Sequence, residues 1–153
     1  MQQKLTVILT DGMAFVLLLM IYVNSLLHKD NLTDQKLYRS MILFMMISII
    51  FEVASFIVDK ARFFGDIGVN RFLNLVLYGI NPISAALWAC YADYKIFSDI
   101  KRIKKRLPLF IIPTAINFVL CFLTIFFDIL FKINQDNVYS RMSFSWITSA
   151  VAL

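Results

Sequence analysis

Charge is what this chain has least of. Only 16% of its 153 residues are Asp, Glu, Lys or Arg, against roughly 25% in a soluble domain. With 60% hydrophobic residues and a mean hydropathy of +0.76, it has too little polar surface to cover a water-soluble globule. Four glycines and three prolines leave long stretches without a helix breaker. No segment of about ten residues alternates apolar with polar, which excludes the pattern of an outer-membrane barrel. His28 is the only histidine, so no histidine cluster for metal and no Ser-His or Cys-His hydrolase pair is assembled. Cys90 and Cys121 stand alone, without a Cys-x-x-Cys pair, and read as small buried thiols. These scarcities leave no catalytic centre, cofactor set or metal set in view, and the fold class they imply is an all-α, polytopic membrane protein.

The apolar runs supply its organisation. Spans are read over about 5–27, 41–58, 72–94 and 109–131, and a further apolar segment starts near Met142. From there to Leu153 about a dozen residues rise only about 18 Å, short of a hydrocarbon core of about 30 Å. The chain is therefore read as four complete spans and the start of a fifth, cut inside a helix, with 1–153 forming one transmembrane domain. Lys101-Arg102-Ile103-Lys104-Lys105-Arg106, closed by Pro108, is the densest basic segment. By the positive-inside rule that segment is a cytoplasmic loop, which places the N-terminus outside. Lys29, Lys36 and Arg39 agree with this orientation; Lys60, Arg62 and Arg71 oppose it. The net charge of +5 then reports topology and anionic-lipid contact, not nucleic acid. The apolar run after Lys4 is of spanning length, carries Asp11-Gly12 and lacks a small-residue cleavage site, so it reads as the first helix and not as a targeting peptide.

Polar residues inside spans are costly and face protein or a watery cavity. Ser48, Glu52, Ser55 and Asp59 recur at helical spacing on the second span. Asn74, Tyr78, Asn81, Ala85 and Trp88 do so on the third, and Thr114, Asn117, Cys121, Thr124 and Asp128 on the fourth. The first span offers Thr6, Thr10 and Asn24, with Asp11 adjacent. These stripes are expected to face one another, either as packing faces or as a site. With the N-terminus outside, Asp11, Asp59 and Asp128 lie toward the outer surface and Glu52 near mid-membrane, the arrangement of an outward-opening acidic pocket. Glu52 is expected to meet Asn81 or Asn117 across the bundle, or a ligand. Asn81-Pro82 is a candidate bend. Trp88, Tyr91 and Tyr94 at one end, with Tyr139 and Trp146 at the other, fit interfacial belts.

Several of these residues also form a pattern. Asp59, Arg71-Phe72-Leu73-Asn74, Trp88-Ala89-Cys90-Tyr91, the basic segment, Pro113 with Asn117, and Asp136-Asn137-Val138-Tyr139-Ser140-Arg141 together resemble the N-terminal membrane sensory region of clostridial-type (Firmicute) diguanylate cyclases. The resemblance covers about two thirds of the chain, from Leu37 to Arg141. It departs where the family loop ends in Tyr-x-Arg-Gly, since Met142 follows Arg141 here. It implies a sensory module, usually with its N-terminus outside, followed by a cytoplasmic GGDEF domain that condenses two GTP into cyclic di-GMP. No GGDEF sequence stands within these residues, so the expected catalytic part lies beyond Leu153 and the segment in hand is not itself an enzyme.

A sensing and signal-transmitting module is thus the first functional reading; a transporter or channel subunit built on the same stripes is the second, and a structural assembly subunit the third. The expected partners are membrane lipids, a second copy of the chain, as two GGDEF domains must meet, and a small ligand of unassigned chemistry. The candidate sensing residues are Glu52, Asp11, Asp59, Asn74, Asn81, Asn117 and Asp128, with Tyr139 and Arg141 in an extracellular loop.

The orientation is directly testable. A single cysteine near Lys104 should resist an impermeant thiol reagent in intact cells, whereas one near Asn134 should label. Labelling near Lys104 from outside would reverse the orientation.

Overall fold

A computed structural model describes residues 2–27, 33–59 and 67–146. Four helices account for most of them: α1 (Gln2–Leu27), α2 (Thr33–Val58), α3 (Ile67–Phe97) and α4 (Ile100–Phe127). All four are long and apolar enough to span a bilayer, and the chain is a multi-pass helical membrane bundle. The helices pack in chain order, α1 on α2, α2 on α3 and α3 on α4. Within that order α2 and α3 are the inner helices, each flanked on both sides. The spanning part of α1 buries no residue inside the protein, and Leu9, Met13, Leu17 and Met20 stand on its exposed surface, as apolar side chains do where lipid is the solvent.

The helices overrun the apolar runs that announce them. α2 begins at Thr33, where the Asp34 carboxylate accepts the Gln35 backbone N–H at 2.9 Å. The basic segment is helical and not a loop: Asp99 caps α4, its carboxylate accepting the Lys101 N–H at 2.8 Å. Lys and Arg are good helix formers, so a capped basic run extends a helix readily. Between α3 and α4 only Ser98 and Asp99 intervene, with Ser98 in the left-handed region at φ 51°.

At its other end α4 stops before the apolar run does. Asp128 adopts φ 49° as the helix C-cap and its N–H returns to the Thr124 carbonyl at 3.2 Å. The chain then leaves the helix for an antiparallel hairpin, β1 (Phe131–Ile133) with β2 (Tyr139–Arg141), in the register Phe131 to Arg141, Lys132 to Ser140 and Ile133 to Tyr139. Asn137 closes its turn in the left-handed conformation, φ 57°, which asparagine tolerates better than most residues. After β2 a helical turn opens at Ser145 and Trp146; the rest of the expected fifth span lies outside the described residues.

Close packing of α3 on α4 centres on Gly79. A β-carbon there would lie 3.3 Å from Phe118 Cε1, so the glycine sets how near the two axes come. Leu130 and Phe131, both fully buried, plug the end of this interface against Cys121, Leu75, Tyr78 and Leu120. Both cysteines are free and buried.

Candidate functional site

The hairpin folds back over the ends of α2, α3 and α4, and polar side chains do the fastening. Asn137 is the hub. Its side-chain amide donates to the Val58 carbonyl, the last residue of α2, at 2.9 Å. Its Oδ1 accepts from Asn70 of α3 at 2.9 Å. Asn70 in turn accepts from Asn74, one turn further on, at 2.8 Å through its side chain and 2.9 Å through its backbone carbonyl. All three asparagines are buried, Asn70 completely. Asp59, just past α2, accepts the backbone N–H of Tyr139 at 2.9 Å. Arg71 of α3 pairs with Asp128 at the end of α4. Thr124 receives the Leu130 N–H at 3.2 Å, and Met142 N–H returns to the Leu130 carbonyl at 3.0 Å.

An aromatic layer lies beneath the hairpin. The Tyr78 and Phe131 rings stack with centroids 5.6 Å apart, Phe131 meets Tyr139 at 5.7 Å, and the two tyrosine hydroxyls bond at 2.7 Å. A side-chain hydrogen bond with Tyr139, with Tyr78 and Glu52 also nearby, holds Arg141 even more firmly cationic than a free guanidinium. Tyr139 is therefore part of the clasp, whereas Trp88 and Trp146 are exposed in the manner of belt residues.

Deeper in the membrane a proline explains an asparagine. Pro82, fully buried in α3, has no N–H for the carbonyl one turn back, that of Tyr78. Asn117 of α4 fills the vacancy, its amide donating to the Tyr78 carbonyl at 2.8 Å and reaching the Cys121 sulfur at 3.8 Å. The backbone defect made by one helix is repaired by its neighbour, and the repair fixes their register.

The sequence-predicted residues thus divide. Asp59, Asn74, Asn117, Asp128 and Tyr139 take part in or under the clasp. Glu52 lies within electrostatic range of Asp11 on α1 and of Arg141 on the hairpin. Asn81 stands on the exposed side of α3, and both amide protons of Asn117 are committed elsewhere, so neither is the amide partner expected for Glu52. Asp59 accepts the Tyr139 N–H and Asp128 pairs with Arg71, so both carboxylates help to hold the hairpin end. Asn70 and the bridging role of Asn137 escape the sequence reading. Their signals are an Asn-x-x-x-Asn spacing at 70 and 74, and turn residues Asn134-Gln135-Asp136-Asn137 between short alternating strands.

A second polar cluster occupies the opposite end. Asp93, buried near the end of α3, accepts from Arg102 at 3.3 Å and Arg106 at 3.1 Å on α4. The Arg102 guanidinium also lies 3.3 Å over the Phe97 ring. Two of the basic residues thus lock the α3–α4 turn, while Lys101, Lys104 and Lys105 remain exposed. Among the described residues no group of His, Cys, Asp and Glu is arranged to hold a metal.

The chain matches no family model, no curated protein and no solved structure.

The proline–asparagine pair makes a sharp prediction. Asn117→Ala should cost about 1–3 kcal/mol, because the Tyr78 carbonyl is left unpaired in a dry environment. In a Pro82→Ala background, where residue 82 regains its N–H, the same change should cost clearly less. A double-mutant cycle of unfolding in detergent measures this coupling; equal costs in both backgrounds would refute the repair.

Proposed function

We propose that this chain is a membrane-embedded sensing and signal-transmission module, oriented with the hairpin end outside and the basic end of α4 in the cytoplasm, and acting upstream of a cytoplasmic diguanylate cyclase domain. The observation that carries the reading is the clasp. One short hairpin bonds the ends of α2 and α3 and continues directly from α4. A ligand that favours one hairpin position would bias three helix ends together, and the helices carry the difference to the far side of the bilayer.

The residues behind the resemblance support the finer reading, since Asp59, Asn74, Asn117, Asn137 and Tyr139 converge on or beneath this one element although they are scattered through the chain. The basic cluster supports the orientation. Glu52 is the proposed sensing residue: an acid inside an apolar helix, with Asp11 and the hairpin's Arg141 in its field. It couples a cationic or protonic signal to the hairpin through that arginine. The acting unit is a homodimer, because two GTP-bearing domains must meet to form the product.

Locking the clasp tests this without knowledge of the signal. In full-length protein carrying Cys90→Ser and Cys121→Ser, the pair Asp59→Cys and Tyr139→Cys is oxidised in membranes and cyclic di-GMP formation from GTP is measured. Oxidation should shift the output by several-fold, reductant should restore it, and Glu52→Gln should alter the unlocked output at normal membrane abundance. Identical output in locked and unlocked protein would remove the hairpin from signalling; unchanged behaviour of Glu52→Gln would remove that residue alone.

A further inference from the structure

A cavity of about 280 Å³ lies at the end of the bundle remote from the hairpin, between the last turns of α1, the first turns of α2 and the last turns of α3. It is smaller than the roughly 300–1,000 Å³ of sites for drug-sized molecules, and its lining is mixed. Asp34 and Lys95 supply one charge of each sign, Tyr38 and Tyr91 two aromatic rings, and Ile21 an apolar wall.

Both charges retain bonding capacity. Asp34 accepts the Gln35 N–H through Oδ1 and the Lys95 ammonium through Oδ2, at 3.2 Å. A carboxylate has about four lone-pair sites, and an ammonium three protons of which one is used here. Lys95 is 63% exposed, so its remaining protons face outward from the pair. The Tyr38 and Tyr91 rings, centroids 5.6 Å apart and tilted by 37°, both line the cavity and offer aromatic surface to a cation. Beside the cavity Arg39 is bonded to Ser25 through Nε at 2.9 Å, which ties α2 to α1 and holds that wall in place.

We propose that this cavity binds a phosphoethanolamine group, its ammonium on Asp34 and the tyrosine rings and its phosphate on Lys95. The pairing of signs selects the chemistry. A simple anion would meet the Asp34 carboxylate, and a simple amine would make no use of the Lys95 ammonium. A trimethylated ammonium would keep the ring contact but has no N–H to give the carboxylate. The location suits a lipid source, because the cavity stands at helix ends where headgroups lie, and the exposed apolar side chains Leu17 and Met20 of α1 run toward it. This site is independent of the hairpin and of the proposed signalling output.

Native mass spectrometry of the full chain in detergent tests the assignment, titrating phosphatidylethanolamine, phosphatidylcholine and phosphatidylglycerol of identical acyl chains. The ethanolamine lipid should be retained at about tenfold lower concentration than either other lipid, the effect expected of charge-assisted bonds that only it makes. The double variant Asp34→Asn, Lys95→Gln should lose that preference, while Lys105→Gln, a cation outside the cavity, should keep it; a thermal melt checks that each variant is folded. Equal retention of the three lipids by the unaltered protein would overturn the proposal whatever the variants do, and so would full preference in a folded double variant. Free phosphoethanolamine supplies the second arm: displacement of the lipid by millimolar amounts would assign the site to a soluble ligand of the same chemistry, and displacement only by intact lipid would assign it to the bilayer.

Discussion

A side-chain amide buried in a membrane protein must find partners inside the protein, and those of Asn137 tie three elements together. Its amide reaches the end of α2 and its carbonyl oxygen takes the proton of Asn70 on α3, while its own backbone sits in the left-handed conformation that the hairpin turn needs. One residue therefore sets the turn and fastens it. Inside the protein, where water does not compete, leaving either of these buried groups unpaired costs about 1–3 kcal/mol. The hairpin position and the spacing of α2 and α3 are for this reason a single variable, and the aromatic layer of Tyr78, Phe131 and Tyr139 fills the space that the fastening defines.

The two ends of the bundle are built on different chemistry. Toward the hairpin, neutral amides and short carboxylate contacts join elements far apart in sequence, such as Val58 with Asn137 and Asp59 with Tyr139. At the basic end ion pairs do the joining, Asp93 with Arg102 and Arg106 across a turn of two residues and Asp34 of α2 with Lys95 of α3. The first ties the hairpin to three helix ends at once. The second holds a helical hairpin rigid. Between them the Asn117 bond to the Tyr78 carbonyl keeps α3 and α4 in register.

The helices were legible because long apolar runs leave few alternatives, and the stripe residues Asn74, Asn117 and Thr124 are buried as their spacing implies. The hairpin was not legible because Ile129, Leu130 and Phe131 resume the apolar run of α4 after the single charge of Asp128, which reads as one member of a polar stripe and not as the left-handed turn that ends the helix. Asn81 was misplaced for a related reason. It continues the Asn74–Tyr78 spacing, yet the stripe it belongs to leaves the buried face once Pro82 takes that position. The α4 start was hidden by charge: a basic run reads as a loop, and the Asp99 cap that turns it into helix is a single residue. Tyr139 read as a belt residue because its contacts, Phe131 and Tyr78, come from the far side of a turn and from another helix.

Hydrogen exchange of the full chain in lipid nanodiscs tests the central claim, that the hairpin is fastened into the bundle by Asn137 and Asn70. The backbone amides of Leu130, Asn137, Tyr139 and Met142 should exchange as slowly as the last turn of α4, and Asn70→Ala should release them together while α4 above Asn117 stays protected. Fast exchange of these four amides in the unaltered protein, or their loss of protection one at a time, would contradict it.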